Sequence, residues 1–388
     1  MLPQSLSEFK DSIEKTDDDG TVQIYSYKFC GNSSPDGLKK IRGVVFSGEK
    51  SLFSSLGYTE EYSENDKEIV STKGVVEKLS IFRSEEGTLI RLFYTNNKWY
   101  VSTNRKLDAF HSRWGTTTSF GEIFKESLRY LSKKDEDPVQ ELFDRLDKNN
   151  VYFFLIRNTK ENRIVSLPPS HPTVFHVGTL LDGKTFDLTI ETGIPKQDKL
   201  NFQSWDDVFT HVQDVNHLDC QGVIVFYEDG TQFKIINAKY QLYSQVRGNE
   251  SSVNFRYLQV RNNPTYIRLI HELYPENINK FVLYENTIAI IAKQIHNSYI
   301  NRFVNKNQVV VSKEEYRIIR ECHGWHISDR EKNKVTLNVV LRVLGEQRYF
   351  STVNSLIKRY NKGIKVNDKV NDKVNDKVND KQVENVVE

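Results

Sequence analysis

The chain has 388 residues, with 54 Lys and Arg against 52 Asp and Glu, 38% hydrophobic and 12% aromatic residues. That composition can bury one large or two ordinary cores, which excludes a wholly disordered protein. No run of 18 apolar residues occurs, and the first twenty residues are acidic where a signal or transit peptide is basic, so the sequence predicts a chain neither membrane-spanning nor secreted.

Three scattered cysteines, Cys30, Cys220 and Cys322, support neither a disulfide framework nor a thiolate zinc site and suit a reducing compartment. Charge is uneven along the chain. Residues 256–363 hold 18 Lys and Arg against 9 Asp and Glu, a net +9, and the remainder carries −7. A basic third is either the footprint of a phosphate-backbone partner or a helical surface kept soluble by its charge.

Residues 1–20 read as an acidic segment ahead of the first element. Residues 21–29 alternate with β-branched and aromatic side chains and predict a strand. A Pro-Asp-Gly turn at 35–37 precedes a short strand at 42–46. Residues 88–94 and 99–103 predict a β-hairpin, because the Asn pair at 96–97 tolerates the positive φ of a tight turn. Helices are expected at 119–131, with Ser119 and Glu122 as a capping box, and at 138–146, with Pro138 in its first turn.

Further strands are expected at 151–156, 163–166, 174–181 and 185–190. A helix at 205–215 then precedes strands at 222–227 and 232–236. The pattern is α+β with antiparallel sheets over 21–250. From 255 to 362 the apolar residues recur at helical spacing, as in Ile288, Ile291, Ile295 and Tyr299, which predicts a basic helical domain. Residues 363–388 contain four copies of Val-Asn-Asp-Lys, a period that builds no apolar face, and predict a disordered tail.

The segment Glu86 to Lys106, preceded by Ser84 and Glu85, resembles the first motif and following hairpin of the covalent nucleotidyltransferases, the superfamily of RNA ligases, DNA ligases and capping guanylyltransferases. Its Lys-x-Asp-Gly-Ser/Thr pattern is matched at Gly87 and Thr88, and Ser102, Thr103 and Arg105 match the end of the hairpin. Three further segments follow in the family's order: Arg42-Gly43 upstream, Asn162-Arg163-Ile164-Val165 after the strand at 152–156, and Gln221-Gly222-Val223 paired with Phe233-Lys234 and Tyr240. The resemblance covers about residues 40–245 and implies a nucleotidyltransferase (ATP-grasp-like ligase) domain. Leu107-Asp108-Ala109-Phe110 with Ser112 and Trp114, and Leu273-Tyr274-Pro275-Glu276, are similar to RNA-ligase-like proteins of large DNA viruses of protists. That likeness implies a host-cytoplasmic or virion location.

The family's chemistry needs a lysine amine to attack the α-phosphate, carboxylates for metal and ribose, and a second lysine against phosphate charge. Here Ser84 stands at the nucleophile, Leu155 or Ile156 at the third-motif glutamate, Gln221 at the fourth, and Ile236 at the last lysine, with Lys234 retained. A serine hydroxyl cannot form the phosphoramidate, and glutamine lacks the charge that holds a metal. The expectation is a catalytically degenerate RNA-ligase-like protein that binds a nucleotide or RNA without ligating it. Arg42, Ser84, Glu86, Gly87, Arg105, Gln221 and Lys234 would form the nucleotide site, and ATP or GTP with Mg2+ would be the cofactor if the pocket is retained. An active ligase or guanylyltransferase using Lys73 or Lys78, and a virion or interaction protein reusing the fold, are the alternatives.

Cys322-His323-Gly324-Trp325-His326 is metal-capable but local, and a helix end with aromatic packing is the preferred reading. His171, His176, His211 and His217 show no nucleophile-elbow context, and neither a P-loop nor a dinucleotide fingerprint occurs.

Overall fold

The computed structural model describes residues 2–132, 137–159 and 164–363. The repeat tail and residues 160–163, which carry part of the Asn-Arg-Ile-Val segment, lie outside the described residues. The backbone divides into two compact units, Met1–Ser251 and Ser252–Glu388.

The first unit holds three sheets among the described residues. In chain order the strands are β1 (Ile13–Asp18), β2 (Gln23–Tyr27), β3 (Arg42–Ser47), β4 (Lys50–Phe53), β5 (Glu60–Tyr62), β6 (Ser80–Ser84), β7 (Thr88–Thr95), β8 (Lys98–Ser102), β9 (Val151–Arg157), β10 (Thr173–Leu181), β11 (Thr185–Asp187), β12 (Lys199–Leu200), β13 (Gly222–Phe226) and β14 (Gln232–Ile236). The sheet orders are β1-β2-β3-β4, β11-β10-β9-β7-β8 and β12-β6-β13-β14-β5. The fold is α+β, and the named strands pair antiparallel except β5, which runs parallel to β14.

The expected hairpin is β7 and β8, turned by Asn96 and Asn97 at φ 50° and 60°. Positive φ at both positions matches the right-handed twist of the flanking strands. The helix Phe120–Ser132 starts on Ser119, whose N–H donates to Glu122 Oε2 at 2.7 Å while Glu122 N–H donates to Ser119 Oγ at 3.2 Å. It buries Phe120, Ile123, Phe124 and Leu128 with Ile90, Leu92, Phe154 and Ile156 of the central sheet.

Several expectations are corrected. Residues 13–18 are an edge strand, not part of a detached acidic segment, because Ile13 is buried with Tyr25, Val44 and Phe46. Residues 164–166 bend rather than extend, since their N–H groups turn onto a carboxylate described below. The strand expected at 185–190 stops at Asp187, whose side chain takes the N–H and hydroxyl of Thr189. The Pro-Asp-Gly turn opens a one-turn helix, Asp36–Lys39. Strand β6 and the helix Ala238–Arg247 were not foreseen, and both bear on the site.

The second unit holds the helices Val253–Val260, Pro264–Leu273, Ile278–Tyr299, Lys313–Ser328 and Leu337–Leu344, and all of these except Pro264–Leu273 contribute to a core that includes Leu258, Ile288, Ile291, Ile295, Ile318, Ile319, Val340 and Leu344. Helical backbone resumes over 350–363. Cys322 is wholly buried in that core and His323 stacks on Phe303 at 3.8 Å, the aromatic packing expected of this helix. No described helix is long and apolar enough to cross a membrane.

Candidate functional site

A cleft of about 550 Å³ opens in the first unit where β7 begins and β9 ends. Its walls include Arg42, Glu86, Gly87, Arg105, Arg113, Trp114 and Arg157. Four arginines against one glutamate make it an anion-attracting concavity, and its volume lies within the usual range for small-molecule sites. Gly87 allows the floor to form: a Cβ there would stand 2.6 Å from the carbonyl oxygen of Ile156.

Of the residues expected to form the site, Arg42, Glu86, Gly87 and Arg105 line this cleft, whereas Ser84, Gln221 and Lys234 meet beside it. The antiparallel register of β6 and β13 sets Ser84 opposite Gly222, next to Gln221. Ser84 Oγ donates to Gln221 Oε1 at 3.0 Å, and Lys234 Nζ donates to the same oxygen at 2.6 Å. Gln221 Nε2 donates to the Tyr240 hydroxyl at 2.8 Å, which donates to Glu86 Oε2 at 3.0 Å. One hydrogen-bonded chain therefore runs from Ser84 to Glu86. Burial lowers the pKa of Lys234; burial and then the Glu86 charge raise that of Tyr240, so the phenol remains a donor.

Glu86 is buried and its oxygens are already engaged. Ile164 N–H donates to Oε1, and the N–H groups of Val165 and Ser166 each donate to Oε2 at 2.9 Å. Three backbone donors and a phenol leave this carboxylate little capacity for a divalent cation, and Gln221 brings no charge. Among the described residues no three His, Cys, Asp or Glu side chains converge. The residues present do not fit the Mg2+ that the resemblance implied.

The arginines differ in their partners. Arg105 is ion-paired with Glu14 of β1, and Arg157 with Glu85 at 2.5 Å. Among the described residues Arg42 donates to neutral acceptors, Gly57 O at 3.3 Å and Thr59 Oγ1 at 3.4 Å. Arg113 is exposed and makes no ion pair with a described residue. Trp114 is half-buried under the guanidinium of Arg247, 5.3 Å from its ring centroid. Ile156 lines the cleft and Leu155 packs under Gly87, so the third-motif position is apolar on either alignment; Ile236 is buried in β14.

The displaced-lysine candidates stand elsewhere. Lys73 bonds Glu60 at 2.7 Å and lies over the Tyr62 ring; burial opposes its charge, but Glu60 and Tyr62 raise its pKa overall. Lys78 is exposed at the end of a short 3-10 turn. Neither lines the cleft.

Arg91, Arg113 and Arg157 were not singled out from the sequence. Arg91 of β7 is wholly buried and donates to Gly43 O, Thr103 O and, at 3.2 Å, Ser102 Oγ, which ties the Arg-Gly strand to the end of the hairpin. Arg157 sits at the end of β9, where only tertiary structure brings it to the cleft. A charged residue inside the otherwise apolar run Leu89 to Phe93 was the available signal for Arg91.

No protein-family model matches the chain. It is 32% identical over 372 residues to the immediate-early protein ICP-46 homolog of Invertebrate iridescent virus 6, covering 85% of this chain and 79% of that relative. The chain belongs to the family of ICP-46 homologues. The homologue of Invertebrate iridescent virus 3 is 29% identical over 279 residues, covering 69% of this chain and 61% of its own length. ICP-46 of Frog virus 3 (isolate Goorha) is 26% identical over 137 residues, 32% of this chain and 33% of that one. These family members come from viruses of invertebrates and a frog, whereas the sequence reading pointed to viruses of protists.

Among solved structures, the chain is similar to a putative ATP-dependent DNA ligase from Aquifex aeolicus, with TM-score 0.41 and 13% identity over 83% of this chain and 88% of that one. An archaeal ATP-dependent RNA ligase gives 0.40 and 10% over 68% and 66%. A Naegleria gruberi RNA ligase gives 0.35 and 10%, covering 48% of this chain, which spans 57% of that structure's chain.

Proposed function

We propose that this ICP-46 homologue is a ligase-like protein that binds a nucleotide or a nucleic-acid end in its arginine-lined cleft without forming a covalent nucleotidyl intermediate. The observation that carries the reading is the Ser84–Gln221–Lys234 cluster. Ser84 and Gln221, 137 residues apart in sequence, are hydrogen-bonded, and they put a hydroxyl and an amide at the positions where the resemblance would have the attacking amine and the fourth-motif carboxylate. A hydroxyl held as a donor to an amide oxygen has no base to activate it.

Binding needs less than transfer. Arg42 and Arg113 offer guanidinium groups without carboxylate partners, and Trp114 offers a ring for a base. Phosphate charge would be met by these arginines rather than by a metal, because Glu86 and Gln221 are unsuited to hold one.

The test pairs two measurements on the full chain. Incubation with radiolabelled ATP or GTP and Mg2+, followed by denaturing electrophoresis, is expected to leave no labelled band. Equilibrium titration of ATP in EDTA, read by tryptophan fluorescence, is expected to saturate, and to weaken in Arg42→Ala with Arg113→Ala. A labelled band that disappears in Lys73→Ala, Lys78→Ala or Lys234→Ala would restore the active enzyme. Absence of any nucleotide binding would leave the fold as an interaction scaffold.

A further inference from the structure

We propose that the helical unit carries its own surface for single-stranded nucleic acid, centred on Arg302, Lys306, Tyr316, His323 and Arg330. The proposal reaches beyond the cleft reading and stands whether or not the cleft binds a nucleotide.

The long helix Ile278–Tyr299 does not end in a cap but runs into a π-helical turn, Ile300–Val304. Such turns are rare and recur at functional sites. Two residues later Lys306 adopts a positive φ of 61°, uncommon for a side chain other than Gly, Asn or Asp. The turn directs Phe303 onto His323 of the helix Lys313–Ser328, with ring centroids 3.8 Å apart and planes 19° apart. Arg302 lies 5.3 Å from the Tyr316 ring centroid and 5.8 Å from that of Phe303. Tyr316, Arg320 and His323 fall at i, i+4 and i+7, one helical face.

This face carries an excess of positive charge. Arg302, Lys306, Arg320 and Arg330 are exposed and form no ion pair with a described residue, against one exposed acid, Glu331. Other nearby acids are engaged elsewhere: Glu314 faces Arg359, Glu315 closes the helix start on Ser312, Glu321 takes Arg348 and Tyr349, and Asp329 takes Lys332. Burial, then the charges of His326, Arg330 and Lys306, hold the pKa of His323 below its ordinary value, so at neutral pH its ring stacks uncharged. Tyr316 is 42% exposed beneath its arginine.

Exposed cations interleaved with accessible rings are the chemistry of single-strand binding: the cations follow phosphates, and rings take unstacked bases without regard to sequence. A protein partner of acidic character would use the cations but not the half-open ring stack.

The experiment uses the full chain and a fluorescein-labelled oligouridylate of about twenty nucleotides, followed by anisotropy across a salt series. The triple variant Arg302→Ala, Lys306→Ala, Arg330→Ala is expected to bind at least about tenfold more weakly. Its slope of log affinity against log salt should be shallower by about 2, from roughly 0.7 per lost phosphate contact. Tyr316→Ala should weaken binding with the slope unchanged, and Tyr316→Phe should restore it.

A second triple, Arg268→Ala, Lys280→Ala, Lys293→Ala, removes equal charge from exposed positions on the helices Pro264–Leu273 and Ile278–Tyr299 of the same unit and is expected to bind nearly as the parent does. Equal loss in both triples would reduce the effect to net charge and overturn the proposal. RNA displaced by ATP, lost in the Arg42 and Arg113 variant and kept in the first triple, would place it in the cleft, sinking this surface while leaving the cleft reading intact. Loss of binding to phosphatidylserine vesicles with RNA binding unchanged would make the face a lipid contact and also overturn it.

Discussion

Two cations of the first unit, Arg91 and Lys234, bond to no carboxylate among the described residues, yet they are built differently. Arg91 is wholly buried, and three fixed acceptors surround it, the carbonyls of Gly43 and Thr103 and the hydroxyl of Ser102. Burial, with the nearby charge of Arg42, brings its pKa down to about 9, so it stays charged at neutral pH. Lys234 has one acceptor, the amide oxygen of Gln221, which it shares with Ser84. The guanidinium is held by the frame, with three acceptors around one cation, whereas the amine shares its single acceptor with a hydroxyl. The contrast sets an expectation: removing Arg91 should cost more stability than changing the charge at position 221.

The largest expected effect breaks the frame. Arg91→Met strands the carbonyls of Gly43 and Thr103, each costing about 1–3 kcal/mol when buried without a donor, so chemical denaturation should show a loss of about 3–5 kcal/mol. A loss under about 1 kcal/mol would mean that Arg91 is as dispensable as the cluster.

A buried base that gives up its proton supplies the control. His176 is 1% exposed, and burial, reinforced by Lys196, lowers its pKa from 6.5 to about 4. The unfolded chain binds the proton first as pH falls, so stability is full above pH 6.5 and declines between 6.5 and about 4, by about 3 kcal/mol in all. Denaturation midpoints measured at stepped pH should follow this decline, and His176→Phe should flatten it.

Glu86→Gln sharpens the comparison at the point where the cluster meets the cleft. The amide can accept from fewer of the N–H groups of 164–166, and a destabilisation of about 1–3 kcal/mol is expected in urea titration. Stability indifferent to this change would show that Glu86 is free to serve a ligand.

Smallest in stability is Gln221→Glu, which sets a carboxylate against Lys234 where an amide now stands. Stability should move by less than about 1 kcal/mol, while the Lys234 amine, now depressed by burial, should titrate higher. Amine-selective labelling across pH would register the change as slower modification of Lys234. Unaltered labelling would show that the two groups do not face each other.

Local chemistry made much of this protein legible in its sequence. Asn96 and Asn97 turn their hairpin because they accept positive φ, Ser119 and Glu122 start their helix because each caps the other, and period-3.6 spacing marks Ile288 to Tyr299 as a helix's buried side. The ordered segments at 42, 84–88, 221–222 and 234 also pointed to one site, and Ser84, Gln221 and Lys234 do meet. What pairing partners do to a side chain was not legible. Arg105 lines the cleft yet bonds Glu14, on a strand that acidic composition had disguised as a loose segment. Glu86, expected in the nucleotide site, takes the N–H groups of a bend at 164–166, and Arg91 looked like any strand arginine until β3 and the end of β8 closed on it. Periodicity and turn preference act between residues a few positions apart and are written in the sequence; the availability of a charged group depends on what folds against it from far along the chain, and tertiary structure alone decides that.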